Sequence, residues 1–200
     1  MATSLEGPVS RHLNRRISIP LARGLARTPA TPNQVSVAAF GLALAALWLL
    51  AIGRNVEAGV VIQTSSIIDG VDGDLARAKG MASRFGGVFD ATLDRYADAA
   101  IAGGMAWFAL SYEGQGHALT AGFGATVAFM LVSYSRARLE REAGAEAMPA
   151  LLGVASRDVR LLALALGCVV GQAYWTLIAV AAVSYATVAW RLLRFQRDAG

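Results

Sequence analysis

The chain consists of long apolar segments joined by short polar connections. Most of the apolar segments run for about 20 residues, the length at which an α-helix crosses a hydrocarbon core of roughly 30 Å. The connections are rich in Arg, Lys, Gly and Pro, which are typical of helix ends. We therefore predict six transmembrane helices, at residues 34–53, 56–77, 85–110, 118–138, 159–172 and 174–194, the fifth extended toward Ser156. This pattern predicts an all-α integral membrane protein.

A basic amphipathic segment precedes the first of these helices. Arginines are interspersed with Leu and Ile through residues 9–26, which favours a segment lying in the membrane interface, with a break at Pro20. Thr31 followed by Pro32 is typical of a helix N-cap and the first helical position. The predicted organisation is an interfacial segment over residues 1–30 and one membrane domain over residues 31–197.

The composition is that of a membrane protein with its charges at the membrane surface. Of 200 residues, 56% are hydrophobic and 16% charged, and the formal net charge is +4. The basic residues cluster at the ends of the apolar segments, so no nucleic-acid partner is expected. By the positive-inside rule, both termini and the connection between the second and third helices lie in the cytoplasm. The predicted location is the inner cell membrane, with the lipid bilayer as a partner.

Six aspartates lie inside the second and third predicted helices, and four of them form a spaced pattern. An ionisable side chain at bilayer depth costs roughly 2.5 to 3.5 kcal/mol, so these residues indicate a functional site. Asp69 and Asp72 share one helix face by their spacing, and so do Asp90 and Asp94. Because the two helices form a hairpin, the carboxylates are expected to converge on one cleft. Such a set favours Mg²⁺ or Mn²⁺, and two such ions suit phosphoryl transfer.

The spacing of these aspartates resembles that of a known family. The pattern D-x-x-D-G-x-x-A-R-x8-G-x-x-x-D-x-x-x-D is the signature of the CDP-alcohol phosphotransferases, and the chain is similar to it at every fixed position. Those positions are Asp69, Asp72, Gly73, Ala76, Arg77, Gly86, Asp90 and Asp94. The six-helix layout and the basic interfacial segment also resemble that family.

The resemblance implies an enzyme that takes a CDP-alcohol donor, transfers its phosphoalcohol to an acceptor hydroxyl and releases CMP. It implies two bound divalent cations, Mg²⁺ or Mn²⁺, with Asp94 as the catalytic base. The implied metal ligands are Asp69, Asp72, Asp90 and Asp94. The implied CDP-binding residues are Asp72, Gly73, Ala76, Arg77 and Gly86.

Three arginines outside the motif resemble the acceptor-phosphate residues of family members that use inositol phosphate. They are Arg136, Arg157 and Arg191. The resemblance implies a phosphorylated polyol as acceptor, whereas the positive-inside rule explains any one of these arginines equally well. The chain looks most like the di-myo-inositol-phosphate-phosphate synthases, whose donor is CDP-inositol. The alternative is a phosphatidylinositol-phosphate or phosphatidylglycerol-phosphate synthase, which uses CDP-diacylglycerol.

Three further features carry less weight. Asp98 and Arg95 are expected to form a structural ion pair or to orient ligands, rather than to catalyse. Gly167 and Gly171 permit close helix packing and would allow a homodimer. A divalent-cation transporter is the competing class, because carboxylates within a membrane also mark ion pathways. It is disfavoured because the aspartates of the motif lie in one membrane half, whereas a pathway needs polar residues in both.

Overall fold

The computed structural model describes residues 14–143 and 156–198, and their regular structure is entirely helical. The described residues form seven helices: α1 (Arg15–Leu25), α2 (Pro32–Ala51), α3 (Asn55–Ala78), α4 (Arg84–Tyr112), α5 (Ala118–Ala143), α6 (Arg157–Val169) and α7 (Ala173–Asp198). Helix α2 packs on α3 and α4, α5 packs on α4 and α7, and α3 also contacts α1 and α6. The all-α fold class is therefore confirmed.

Three of the helices have the length and apolar character of membrane spans. These are α2, α5 and α7. They also expose large apolar side chains that a soluble protein would bury, such as Trp48 on α2 at 60% exposure and Phe123 on α5 at 73%. Lipid is the natural environment for such surfaces, so the bundle is that of an integral membrane protein. The count of six crossings stays a prediction, since α3 and α4 carry several charges and α6 is short.

Helices α5 and α6 differ in length from the predicted spans. The prediction ended the fourth span at residue 138, but α5 continues to Ala143. Two ion pairs at i,i+4 spacing support this extra turn, Arg136 with Glu140 and Arg138 with Glu142. Helix α6 has 13 residues, or about 20 Å at 1.5 Å per residue, and is shorter than a bilayer core.

The amphipathic segment forms a helix that is not broken at Pro20, so that expectation was wrong. Helix α1 runs from Arg15 to Leu25 with Pro20 inside it. A proline removes one helical hydrogen bond, but tertiary contacts hold α1 against α3. Ser18 Oγ donates to Asp74 Oδ2 at 3.2 Å, and Ser18 and Ala22 are buried. Residues 9–13 of the predicted segment lie outside the described residues.

The start of α2 follows the predicted cap. Thr31 Oγ1 accepts from the Gln34 backbone N–H, the Gln34 side chain accepts from the Thr31 N–H, and Pro32 is the first helical residue. Lys79 at the end of α3 donates to the carbonyls of Thr28 and Ala30 at 2.6 and 2.7 Å. These bonds fix the connection between α1 and α2 to the end of the α3–α4 hairpin that carries the turn. This is the end that we predict to face the cytoplasm.

Glycines allow the helices to approach closely. At Gly59 an added Cβ would lie 2.6 Å from the carbonyl oxygen of Ala165 in α6. At Gly122 in α5 it would collide with the Cβ of Ala106 in α4. Gly167 of the predicted G-x-x-x-G pair lies in the same way against Thr176 of α7. Gly167 thus serves packing within the chain, and the homodimer stays a prediction.

We expect Gly122→Ala to lower the Tm of the detergent-solubilised protein by several degrees, because overpacking costs about 1 to 3 kcal/mol. Gly124→Ala is the matched control in the same helix, since nothing lies within 4 Å of a Cβ added there. Equal Tm values for the two variants would contradict the close α4–α5 contact.

Candidate functional site

The site is built on the hairpin formed by α3 and α4. Helix α3 ends at Ala78, and Gly80 adopts a φ of +64°, a conformation that favours glycine. Ser83 then caps α4, its Oγ accepting from the Gly86 N–H at 3.0 Å. The turn is therefore short and well determined, and it places the acidic faces of the two helices opposite each other.

Three of the motif aspartates meet across the hairpin. One carboxylate oxygen each from Asp69, Asp90 and Asp94 lies within 4.8 Å of the other two. All three side chains are partly buried. Asp90 Oδ1 is buried and has no hydrogen-bond partner within the described part of the chain. The predicted convergence of carboxylates from both helices is thus present in the structure.

Asp72 lies beside this cluster but is engaged differently. Its carboxylate is close enough to Asp90 for the two groups to interact directly. Asp72 Oδ2 accepts a hydrogen bond from Ser36 Oγ of α2, and Asp72 is only 8% exposed. Sequence reasoning missed Ser36, because a serine within an apolar helix carries no local signal of such a contact.

Arg157 lies against the carboxylates. Its Nη1 is 2.6 Å from Asp69 Oδ2 and 3.0 Å from Asp94 Oδ1. Its Nε is 3.2 Å from Asp98 Oδ1, one helical turn beyond Asp94. The sequence suggested Arg157 for an acceptor phosphate, and the structure adds direct contact with predicted metal ligands. This arginine brings α6 into a site that otherwise belongs to α3 and α4.

The residues proposed to line a CDP site lie in the last turns of α3 and the first turn of α4, close to the connection between these helices. A Cβ added at Gly73 would meet no atom closer than 3.5 Å, and that atom is Nη1 of Arg77. Arg77 Nη2 also pairs with Asp74 Oδ1 at 2.7 Å, and its side chain is 63% exposed. At Gly86 the added Cβ would lie 3.1 Å from Ser83 Oγ. Ala76 lies on α3 and is partly buried. The residues around position 73 therefore do not themselves require glycine there.

The other two predicted acceptor arginines lie where α5 and α7 pack together. Arg191 Nη1 donates to the Val132 carbonyl at 2.6 Å and to Ser135 Oγ at 3.0 Å, and the residue is 4% exposed. Its Nε is buried and makes no hydrogen bond to any described residue. Arg136 pairs with Glu140 at 2.7 Å and is near enough for its charge to act on Arg191.

The predicted ion pair of Asp98 and Arg95 is present. Arg95 Nη2 lies 3.4 Å from Asp98 Oδ2, and Arg95 Nη1 also donates to Ser133 Oγ of α5. Arg160 was not among the predicted site residues, yet its Nη2 reaches the same Asp98 oxygen at 3.2 Å. Its i+3 spacing from Arg157 was the available signal, since both arginines then share one face of α6.

The donor set fits divalent metal. The carboxylates supply only oxygen ligands, which Mg²⁺ and Mn²⁺ prefer. The unpartnered buried Asp90 Oδ1 is an atom that a cation would satisfy. Like charges this close also need more counter-charge than Arg157, which contacts Asp69 and Asp94, and Arg95, which lies 3.7 Å from Asp94, can supply. The site is therefore a candidate metal centre.

Comparison with known proteins agrees with the motif. Residues 29–193 match the family described as CDP-alcohol phosphatidyltransferase. A bifunctional IPC transferase and DIPP synthase of Rubrobacter xylanophilus is 47% identical over 98% of this chain. The chain spans only 44% of that protein's length. A phosphatidylinositol phosphate synthase of Mycobacteroides abscessus is 33% identical, with 94% of this chain and 87% of that protein covered.

Solved structures share the fold. The Mycobacterium tuberculosis phosphatidylinositol phosphate synthase with CDP-DAG bound has a TM-score of 0.74 and 28% identity, over 88% of this chain and 92% of that chain. The same enzyme in complex with manganese and citrate has a TM-score of 0.73, over 88% and 87%. The motif is complete, its aspartates lie on one hairpin, and the family match and the relatives cover most of this chain. The chain therefore belongs to the CDP-alcohol phosphatidyltransferase family.

Proposed function

We propose that this protein transfers a phosphoalcohol from a CDP-alcohol to a hydroxyl of a phosphorylated polyol and releases CMP. The observation that carries the proposal is the cluster of Asp69, Asp90 and Asp94 with Arg157 of α6 against it. Metal-bound carboxylates suit a pyrophosphate, and arginines suit a phosphorylated acceptor. The site offers both chemistries side by side.

The donor is held through the acidic hairpin. The ligands of two divalent cations, Mg²⁺ or Mn²⁺, would be Asp69, Asp72, Asp90 and Asp94. Such ions, when bound, neutralise pyrophosphate charge and stabilise the charge that develops during phosphoryl transfer. That the mycobacterial relative was solved in complex with manganese supports a divalent cation in this family. Arg77 would donate to donor phosphate, and the small side chains along the hairpin would admit the nucleotide.

The chemical step is an in-line displacement at phosphorus. The acceptor hydroxyl oxygen bonds to the phosphorus that carries the donor's alcohol, and the bond from that phosphorus to the CMP oxygen breaks. CMP leaves with that oxygen and its electron pair, and the hydroxyl proton passes to Asp94. Asp94 suits this role because its side chain is 17% exposed and can be reached, while Arg157 orients its Oδ1 from 3.0 Å.

The acceptor phosphate would be bound by Arg136, Arg157 and Arg191. The Nε of Arg191 is buried and has no hydrogen-bond partner among the described residues, so its N–H could donate to a bound anion. Ser135 and the Val132 carbonyl hold its Nη1, so its guanidinium is already oriented. A planar guanidinium held in one orientation is suited to binding a phosphate.

The donor we propose is CDP-inositol and the acceptor inositol 1-phosphate. The support is the 47% identity to a relative named in part as a DIPP synthase, against 33% for a phosphatidylinositol phosphate synthase. CDP-diacylglycerol is the second candidate donor, because the latter relative is covered over 87% of its length and its mycobacterial counterpart was solved with CDP-DAG.

We further propose that both termini and the active site face the cytoplasm at the inner membrane. The distribution of Lys and Arg along the chain supports this orientation. The carboxylates of α3 and α4 then lie near the cytoplasmic surface, where water-soluble CMP can leave. A homodimer in the membrane remains part of the proposal, and cross-linking in native membranes would test it.

The purified protein in detergent tests the reaction. We expect CMP release from CDP-inositol in the presence of inositol 1-phosphate and Mg²⁺ or Mn²⁺, and none after EDTA treatment. CMP release only when CDP-diacylglycerol replaces CDP-inositol would select the second donor. No CMP with either donor would overturn the transferase and leave the divalent-cation transporter, which needs a gradient rather than a nucleotide.

Asp94→Asn should reduce turnover by about 10²- to 10⁴-fold, the usual contribution of a general base. CDP-alcohol binding should change little, because the other carboxylates remain. Turnover is measured as CMP release and binding by calorimetry. Glu142→Gln is the control, an exposed carboxylate that pairs with Arg138. Near-normal turnover of Asp94→Asn would remove Asp94 as the base.

Gly73→Ala should weaken CDP-alcohol binding by about tenfold while the Tm stays constant or rises. The chain itself has room for the methyl group, and alanine stabilises a helix by about 0.5 to 1 kcal/mol over glycine. Gly70→Ala is the matched control on α3, since a Cβ there meets no atom closer than 3.8 Å. If both variants bind the nucleotide as the wild type does, Gly73 does not line the donor site.

A further inference from the structure

Asp98 is a buried carboxylate that forms ion pairs with arginines from two helices. It is 3% exposed. Its Oδ1 is 3.2 Å from Arg157 Nε, and its Oδ2 is 3.2 Å from Arg160 Nη2 and 3.4 Å from Arg95 Nη2. One buried carboxylate would be satisfied by a single arginine. The extra contacts therefore call for a role beyond neutralising the charge of Asp98.

Arg157 contacts carboxylates with two edges of its guanidinium. Nε faces Asp98, and Nη1 faces Asp69 and Asp94. Because the guanidinium is rigid and planar, anchoring one edge fixes where the other edge points. An anchor at Asp98 would therefore set the direction of the edge that reaches Asp69 and Asp94.

The neighbours of Asp98 hold it in place. Arg95 Nη1 donates to Ser133 Oγ of α5, and the Arg160 guanidinium lies 4.9 Å above the Phe129 ring of α5. The cluster therefore ties α4 to α5 and α6. This matters for α6, whose main packing partners are α3 and α7. Through Asp98, the first turn of α6 is held directly to the helix that carries Asp90 and Asp94.

We propose that Asp98 is a positioning residue, which anchors Arg157 through Nε so that its Nη edge is held at the junction of the metal carboxylates and the acceptor phosphate. The inference rests on the proposed function for the identity of the acceptor. Its geometric part, the control of Arg157 by Asp98, concerns only this chain's own residues.

The first test is a double-mutant cycle on Mn²⁺ affinity, measured by electron paramagnetic resonance of free Mn²⁺ with the solubilised protein. Asp98→Asn removes a negative charge, and that direct effect is the same whether or not Arg157 is present. Releasing Arg157 has an effect only where Arg157 remains. We therefore expect Asp98→Asn to change the Mn²⁺ dissociation constant by factors that differ about threefold or more between the wild-type and Arg157→Gln backgrounds. Equal factors would overturn the proposal.

The second test separates acceptor from donor. Asp98→Asn should raise the KM for inositol 1-phosphate by about tenfold with little change for the CDP donor, and should have no further effect on the acceptor KM in the Arg157→Gln background. A residue that only stabilised the fold would lower Tm and affect both substrates in both backgrounds. Equal effects on the two KM values would therefore also overturn the proposal.

Arg157→Lys keeps the test decisive if Asp98→Asn does not fold. Lysine retains the charge but cannot contact Asp98 and the Asp69–Asp94 pair with two edges of one plane. It should raise the acceptor KM as much as Arg157→Gln does, whereas wild-type values would overturn the proposal. Arg138→Lys is the control, since that side chain is 53% exposed and pairs only at the surface. If the wild type releases no CMP, the proposed function fails, and the Mn²⁺ cycle alone still decides the role of Asp98.

Discussion

The gathering of like charges inside an apolar helical bundle is the constraint on which the rest of the structure depends. Carboxylates of Asp69, Asp90 and Asp94 lie within a few ångströms of one another. Burial weakens their hydration and repulsion raises their cost, so each needs partners from outside the hairpin. Arg157 of α6 is such a partner for Asp69 and Asp94, and Ser36 of α2 is one for the neighbouring Asp72. The helices next to the hairpin are thus held to it partly by the same charges that make the site.

Small residues make this arrangement reachable. The buried core is dominated by alanines, and glycines such as Gly59 and Gly122 lie at contacts where an added Cβ would collide with the facing helix. Close backbones let short side chains meet across helices, which is why a serine on α2 can reach Asp72. Bulky residues at these contacts would separate the helices and leave the carboxylates without partners. Packing and electrostatics therefore depend on each other.

Local patterns in the sequence predicted the parts of the molecule that are determined locally. The spacing of the aspartates placed them on facing helices, and Thr31 with Pro32 marked the start of α2, as the structure has it. Helix α1 passes through Pro20 because its contacts with α3 outweigh one lost hydrogen bond, and no local signal reports such contacts. The joint engagement of Arg157 by Asp69 and Asp98 spans 88 and 59 positions of sequence, beyond the reach of any helical periodicity.

The site also divides along the chain in a way that bears on substrate choice. Every motif residue lies on α3 or α4, whereas the arginines considered for the acceptor lie on α5, α6 and α7. Relatives whose names differ in product nonetheless match this chain over most of its length. A conserved chemical step would require the hairpin to stay as it is, so differences in substrate would have to arise from the residues around it. Arg157 is where the two parts touch, because one guanidinium contacts the carboxylates of α3 and α4 from the first turn of α6. In the proposed reaction its orientation would affect how an acceptor meets a donor, and the residues that fix that orientation would then belong to the site as much as those that line it.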